Sequence, residues 1–179
     1  MKYIILAIMM LATATVFFFQ KSDISEIQQK IPIWSPIEVS DVATIKITMA
    51  AKETIVIHWA AGEWQLNDHV KADHEAVERL LKDLAEMRPV RVVTRKHKHD
   101  EKLRLDAKSG VHLLLLDAAD RDIFNAMVGK QGANLLSTYL RLQGSDVVIA
   151  MDKSLNWQVY RSIHDWEETT LKSSTPETN

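Results

Sequence analysis

Residues 43–66, ATIKITMAAKETIVIHWAAGEWQL, decide the fold. From Ala43 the period is two: Ile45, Ile47 and Met49 point to one side while Thr44, Lys46 and Thr48 point to the other. That alternation predicts a half-buried strand. Ala50 to Glu53 supplies a turn, Ile55, Ile57 and Trp59 repeat the alternation, and Ala61-Gly62 turns the chain into Trp64-Gln65-Leu66. The stretch therefore predicts an antiparallel meander of three strands, with Trp59 and Trp64 assigned to its core.

Beyond the meander the period changes to 3.6. Asp73 is placed to cap a helix whose apolar stripe is Val77, Leu80, Leu81 and Leu84, with Glu75/Arg79 and Glu78/Lys82 as i,i+4 pairs on the wet side. Pro89 bounds this helix. Val90, Val92 and Val93 predict a further strand, and Arg95 to Ser109 is a charged stretch with no regular period. Val111 to Leu116 is apolar on both faces and belongs in the centre of a sheet. Ile123 to Val128 and Ser137 to Leu142 read as successive antiparallel strands. Gly144-Ser145 reads as a two-residue type II′ turn into Val147-Val148-Ile149, with a short closing helix near Leu155 to Ile163. The expected class is α+β: a largely antiparallel sheet with one main packed helix.

On the N-terminal side, Tyr3 to Phe19 (YIILAIMMLATATVFFF) is an unbroken apolar run between Lys2 and Gln20-Lys21. As a helix it reaches about 25 Å, within the range of spanning helices. The small-x-small triplet Ala12-Thr13-Ala14 offers signal cleavage as the alternative, but the continuity of the run favours a retained N-terminal transmembrane helix. The expected organisation is an anchor over 1–20, a linker over 21–40 carrying Pro32 and Pro36, an α+β domain over 41–171, and a disordered tail over 172–179. In a Gram-negative cell this predicts a single-pass inner-membrane protein, held through Tyr3 to Phe19, with its C-terminal domain in the periplasm.

Composition narrows the chemistry. A formal net charge of −2 gives no global electrostatic case for nucleic acid, so none is expected as a partner. With Cys 0 there is no disulfide framework, no thiolate metal site, no cysteine nucleophile and no lipidated N-terminal cysteine.

Individual constellations fall short of catalysis. His74-Glu75-Ala76-Val77-Glu78 resembles the zinc-hydrolase helix but has Glu78 where the second histidine belongs. His97-Lys98-His99-Asp100, read as extended, puts both imidazoles on one face, yet Arg95, Lys96 and Lys98 oppose a bound cation. His164-Asp165 has no accompanying Gly-x-Ser-x-Gly nucleophile, and Gly129-Lys130 lacks the upstream glycine of a phosphate loop. No catalytic, cofactor-binding or metal residue is therefore assigned. The basic stretch Arg88, Arg91, Arg95, Lys96, Lys98, Lys102 and Arg104 reads first as a charge-protected edge strand and loop, and second as a surface for anionic lipid, glycan or an acidic partner.

The ordered motifs Val42-x-x-Ile45-x-Ile47, Gly62-x-Trp64-x-Leu66, Ala72-Asp73 with Val77-x-x-Leu80-Leu81-x-x-Leu84, Arg91-Val92-Val93, the strand ending at Asp117, Val128-Gly129-Lys130, Ser137-Thr138-Tyr139-Leu140-Arg141-Leu142 and Asp165-Trp166 resemble a bacterial family, domain of unknown function 4340. The likeness runs from about Ile37 to Leu171. It departs between Leu103 and Gly110, where the family's Gly-Leu followed by proline is missing. The resemblance implies an envelope protein behind an N-terminal membrane segment, with some relatives auxiliary to ABC-type transport or gliding systems. It implies no catalytic residues. The expected function is a membrane-anchored binding or scaffolding module, accessory to an envelope or ABC-type transport system. The alternatives are a hydrolase or metal-dependent enzyme whose site assembles in space, and a binder of anionic lipid or glycan.

Overall fold

A computed structural model of the chain describes residues 34, 37–49, 54–67, 70–133 and 135–168. The meander forms as β1 (Thr44–Met49), β2 (Ile55–Ala60) and β3 (Glu63–Leu66), all antiparallel. The inward residues Ile45, Ile47, Met49, Ile55, Ile57, Trp64 and Leu66 are buried, as the period of two requires. Ala61 and Gly62 both have positive φ (54° and 86°), which makes the β2–β3 connection a type I′ turn whose twist matches the strands.

After the short β4 (Val70–Lys71) comes helix α1 (His74–Glu86). The Asp73 side chain accepts from the Ala76 backbone N–H at 3.2 Å, satisfying a donor that the helix itself leaves unpaired. Val77, Leu80, Leu81 and Leu84 are buried together with Ala76. On the wet side Lys82 pairs with Glu86 at 4.0 Å rather than with Glu78.

β5 (Pro89–Thr94) then pairs not with the meander but with the last strand. The remaining elements are helix α2 (Asp100–Leu103), β6 (Val111–Leu116), β7 (Asp122–Gln131), β8 (Thr138–Leu142), β9 (Val148–Met151) and helix α3 (Asn156–Val159), with 3-10 turns at Val39–Asp41, His97–His99 and Ile163–Trp166. The strands make one nine-stranded sheet in the order β4-β3-β2-β1-β6-β7-β8-β9-β5. Every recorded pairing is antiparallel. β6, apolar on both faces, occupies the middle of that order.

One face carries the main core. Ile45, Leu115 and Phe124 form one cross-strand row, and Met49, Val111, Val128, Leu140 and Ile149 another. The α1 stripe supplies the matching apolar layer. α3 joins the helical layer through Gln158, whose Nε2 donates to Asp83 Oδ2 of α1 at 2.7 Å, and in the segment leading into α3 Lys153 Nζ lies 2.8 Å from Glu86 Oε2.

Three expectations need correction. The β8–β9 connection is not a two-residue II′ turn on Gly144-Ser145. The Ser145 N–H donates to the Leu142 carbonyl (3.1 Å), so Gln143 and Gly144 are the central residues, and Gly144 takes the positive φ of 75° that the third turn position demands. Trp59 is 47% exposed, because β2 runs past the core at its C-terminal end, whereas Trp64 is buried. The closing helix is shorter than expected and is followed by a separate 3-10 turn.

Within the stretch read as linker, Ile37 is buried, and Trp34 packs edge-on against Phe124 with ring centroids 6.1 Å apart. The run Tyr3 to Phe19, the turn Ala50 to Glu53 and the tail from Ser173 lie outside the described residues. Among the described residues no helix is long and apolar enough to cross a membrane.

Candidate functional site

The opposite face of the sheet explains the charged stretch. Met127, Tyr139 and Arg141 share this face by strand alternation, and Val148 stands opposite Arg141. Leu103 and Leu105 pack on Val148, Val93, Met127 and Tyr139 as a second, smaller core. Between the two leucines Arg104 adopts the left-handed conformation (φ 55°), and its N–H donates to the Glu101 carbonyl at 3.1 Å. The segment is thus a bracket laid over β7, β8 and β9. It seats so closely that a Cβ on Gly129 would lie 2.5 Å from the Leu103 carbonyl oxygen.

Arg141 fastens the bracket. Its side chain is 10% exposed, and the guanidinium grips Asp100 of α2 through both terminal nitrogens, Nη1 to Oδ2 at 2.6 Å and Nη2 to Oδ1. That guanidinium holds the Asp100 carboxyl below the usual range. His97 Nδ1 lies 3.0 Å from Asp100 Oδ2 and Nε2 3.0 Å from Asp146 Oδ1. The bonds to Asp100 and then Asp146 push the imidazole above its ordinary value. The Arg141 Nη1 also approaches His97 Nδ1 at 3.0 Å. Nδ1 donates to Asp100 in the charged imidazole and in the neutral Nδ1–H tautomer, and accepts from Arg141 only in the neutral Nε2–H tautomer.

These contacts redefine the metal reading of residues 97–100. The segment is a 3-10 turn running into α2, not an extended strand, so His97 and His99 do not alternate on a common face. Asp100 is committed to Arg141, and a guanidinium already lies within bonding distance of His97. Among the described residues no group of three or more histidine and carboxylate side chains is placed to hold a metal ion.

The other nominated residues disperse. His74, Glu75 and Glu78 are exposed at the start of α1. Asp165 closes a capping box with Ser162, which depresses its carboxyl, and His164 Nδ1 lies 2.9 Å from Glu167 Oε1. Gly129-Lys130 lies inside β7, not in a loop. Of the basic residues, Arg88 Nη1 donates to the Ala85 and Met87 carbonyls, closing the end of α1, while Arg91 stands exposed on edge strand β5.

Two concavities stand out among the described residues. The larger, an open cleft of about 630 Å³, is lined by Ser40, Asp41, Val42, Ala43, Trp59, Asp117, Ala118, Ala119 and Arg121. Its Trp59 wall is stiffened by an edge-on contact with Trp64, centroids 5.3 Å apart. Its far wall is the β6–β7 turn, where Asp117 accepts from the Ala119 and Arg121 backbone N–H groups (2.8 and 2.9 Å) and from Arg121 Nε at 2.7 Å. Those bonds, the Arg121 backbone donor foremost, hold the Asp117 carboxyl low. The smaller concavity, about 240 Å³, is lined by Val90, Arg91, Ala133, Ser137, Tyr139, Ala150, Met151 and Asp152. Sequence reasoning missed the first cleft because Trp59 continues the core alternation. The Asp117-x-x-x-Arg121 spacing was its only local signal.

Fold and surface together define an α+β sheet domain with its main helix α1 on one face, a bracket containing α2 on the other and an aromatic-walled cleft at one end. The family model "Domain of unknown function (DUF4340)" matches residues 64–178, and the chain belongs to this family. The motifs from Val42 to Gly62 precede the matched segment. Neither a curated protein nor a solved structure matches the chain.

Proposed function

We propose that the protein is a membrane-tethered binding or scaffolding module of the bacterial envelope, accessory to an envelope or ABC-type transport system. Its tether is the apolar run Tyr3 to Phe19, and its folded domain stands in the periplasm. The observation that carries the binding reading is Trp59. A half-exposed indole, braced by a buried one, walls a cleft lined by Val42, Ala43, Ala118 and Ala119 together with Ser40, Asp41, Asp117 and Arg121, a combination of apolar contact and charged groups suited to holding a partner's side chains. The acids of the two histidine pairs support binding over catalysis, since Asp100 serves an ion pair with Arg141 and Asp165 a helix cap.

Site-specific photocrosslinking in intact cells tests this. A photoreactive residue at position 59 should capture a discrete envelope protein, while one at exposed Glu78 should not. Carbonate-resistant membrane association and digestion by protease added to the periplasm should accompany it. Release by carbonate, or equal capture from both positions, would sink the proposal.

A further inference from the structure

The two edges of the sheet are treated differently. At one edge β4 is only two residues long, and the chain's own C-terminal segment covers it: Ala72 bridges to Glu167, and the Glu168 N–H donates to the Lys71 carbonyl at 2.9 Å. At the other edge β5 runs for six residues, and among the described residues no strand pairs with its outer side.

Three of the exposed large apolar side chains gather at this second edge or on the loop beside it: Val90 (54%), Leu135 (65%) and Leu136 (70%). Leu135 is held in the left-handed region (φ 60°), with its N–H donating to the Gly132 carbonyl at 3.0 Å and its carbonyl accepting from Gln131 Nε2. A leucine kept in a conformation that suits glycine, with its side chain in water, is strain without an internal return. The 240 Å³ concavity opens here, between Val90, Tyr139 and Ala150, with Arg91 at its rim.

We propose that β5, with the exposed Leu135 and Leu136 beside it, is a docking edge for an extended segment of another protein, acidic and apolar in alternation, which adds to β5 as a further strand. Backbone hydrogen bonds to β5 supply register, an apolar side chain packs against the exposed Val90, and a carboxylate meets Arg91. Charge selects the occupant. Arg91, Lys96 and Lys98 are exposed along β5 and just beyond it, so a second copy of the same edge is repelled while an acidic segment is attracted. The register irregularities on β5 and Pro89 at its start work in the same direction, discouraging a long flat pairing and leaving the short run Val90–Thr94. This surface is separate from the Trp59 cleft, and either can fail without the other.

The test uses the full chain in detergent micelles and a fluorescein-labelled ten-residue peptide alternating glutamate and valine. Its controls are the lysine–valine counterpart and an acidic version with proline at alternate valines. Saturable anisotropy with the acidic peptide alone, together with new amide-exchange protection over 90–94, is the expected result. R91E should weaken binding at least tenfold. L135G should weaken it several-fold while leaving the melting temperature unchanged or higher, which separates docking from folding; W59A should leave it unaltered. Equal binding of the proline peptide would overturn strand addition. Binding of the lysine peptide would overturn the charge argument, and a concentration-dependent dimer that protects 90–94 without peptide would show the occupant to be a second copy.

Discussion

Arg141 sits in an apolar setting with its charge answered by Asp100, and breaking a buried pair from one side leaves the other charge stranded. R141M should therefore destabilise the domain by about 3 kcal/mol in urea unfolding, and D100N combined with R141M should recover much of that loss. His97 adds a pH dependence. Its folded-state proton affinity is raised, so its contribution is complete below the ordinary imidazole value near 6.5 and disappears as pH rises through the raised one. The melting temperature of the native chain should fall relative to that of H97Q across that window; parallel curves would remove the role. At Gly129 any side chain meets backbone rather than a flexible tip, and G129A should cost about 1–3 kcal/mol.

At the scale of elements, legibility followed periodicity. β1 to β3 and α1 were readable because each buries one face and leaves the other wet, so residues such as Ile45 and Ile47, or Val77 and Leu84, carry their placement in their spacing. D73A should cost α1 about 1 kcal/mol in thermal unfolding, since it removes a single cap bond. The bracket had no such signature. Leu103 and Leu105 are two apart, the spacing of a strand, yet Leu103 ends a helix and Arg104 between them takes a left-handed turn, and no local rule foretells that Arg141 waits beneath. The candidate surfaces were less legible still. Trp59 obeys the core alternation and leaves the core only because its strand outruns the helical layer, and the concavity beside β5 joins residues from Val90 to Asp152.

Across the whole molecule the order of strands separates neighbours in space from neighbours in sequence. β1 pairs with β6 and β5 with β9, so the sheet closes only through long-range contacts. Backbone amides of β6, paired on both sides and buried on the core face, should be the slowest to exchange with deuterium, and those of β4 among the fastest of the strands. Comparable protection across all strands would contradict this hierarchy.

The β1–β6 pairing also has a consequence in time. During synthesis β1 and the meander attached to it precede β6 by several to about ten seconds at ordinary elongation rates, and for that interval the strand destined for the sheet's interior keeps a bare hydrogen-bonding side. The nascent half-sheet is therefore a natural client for a holding chaperone, and its need for one ends when Val111 to Leu116 arrives.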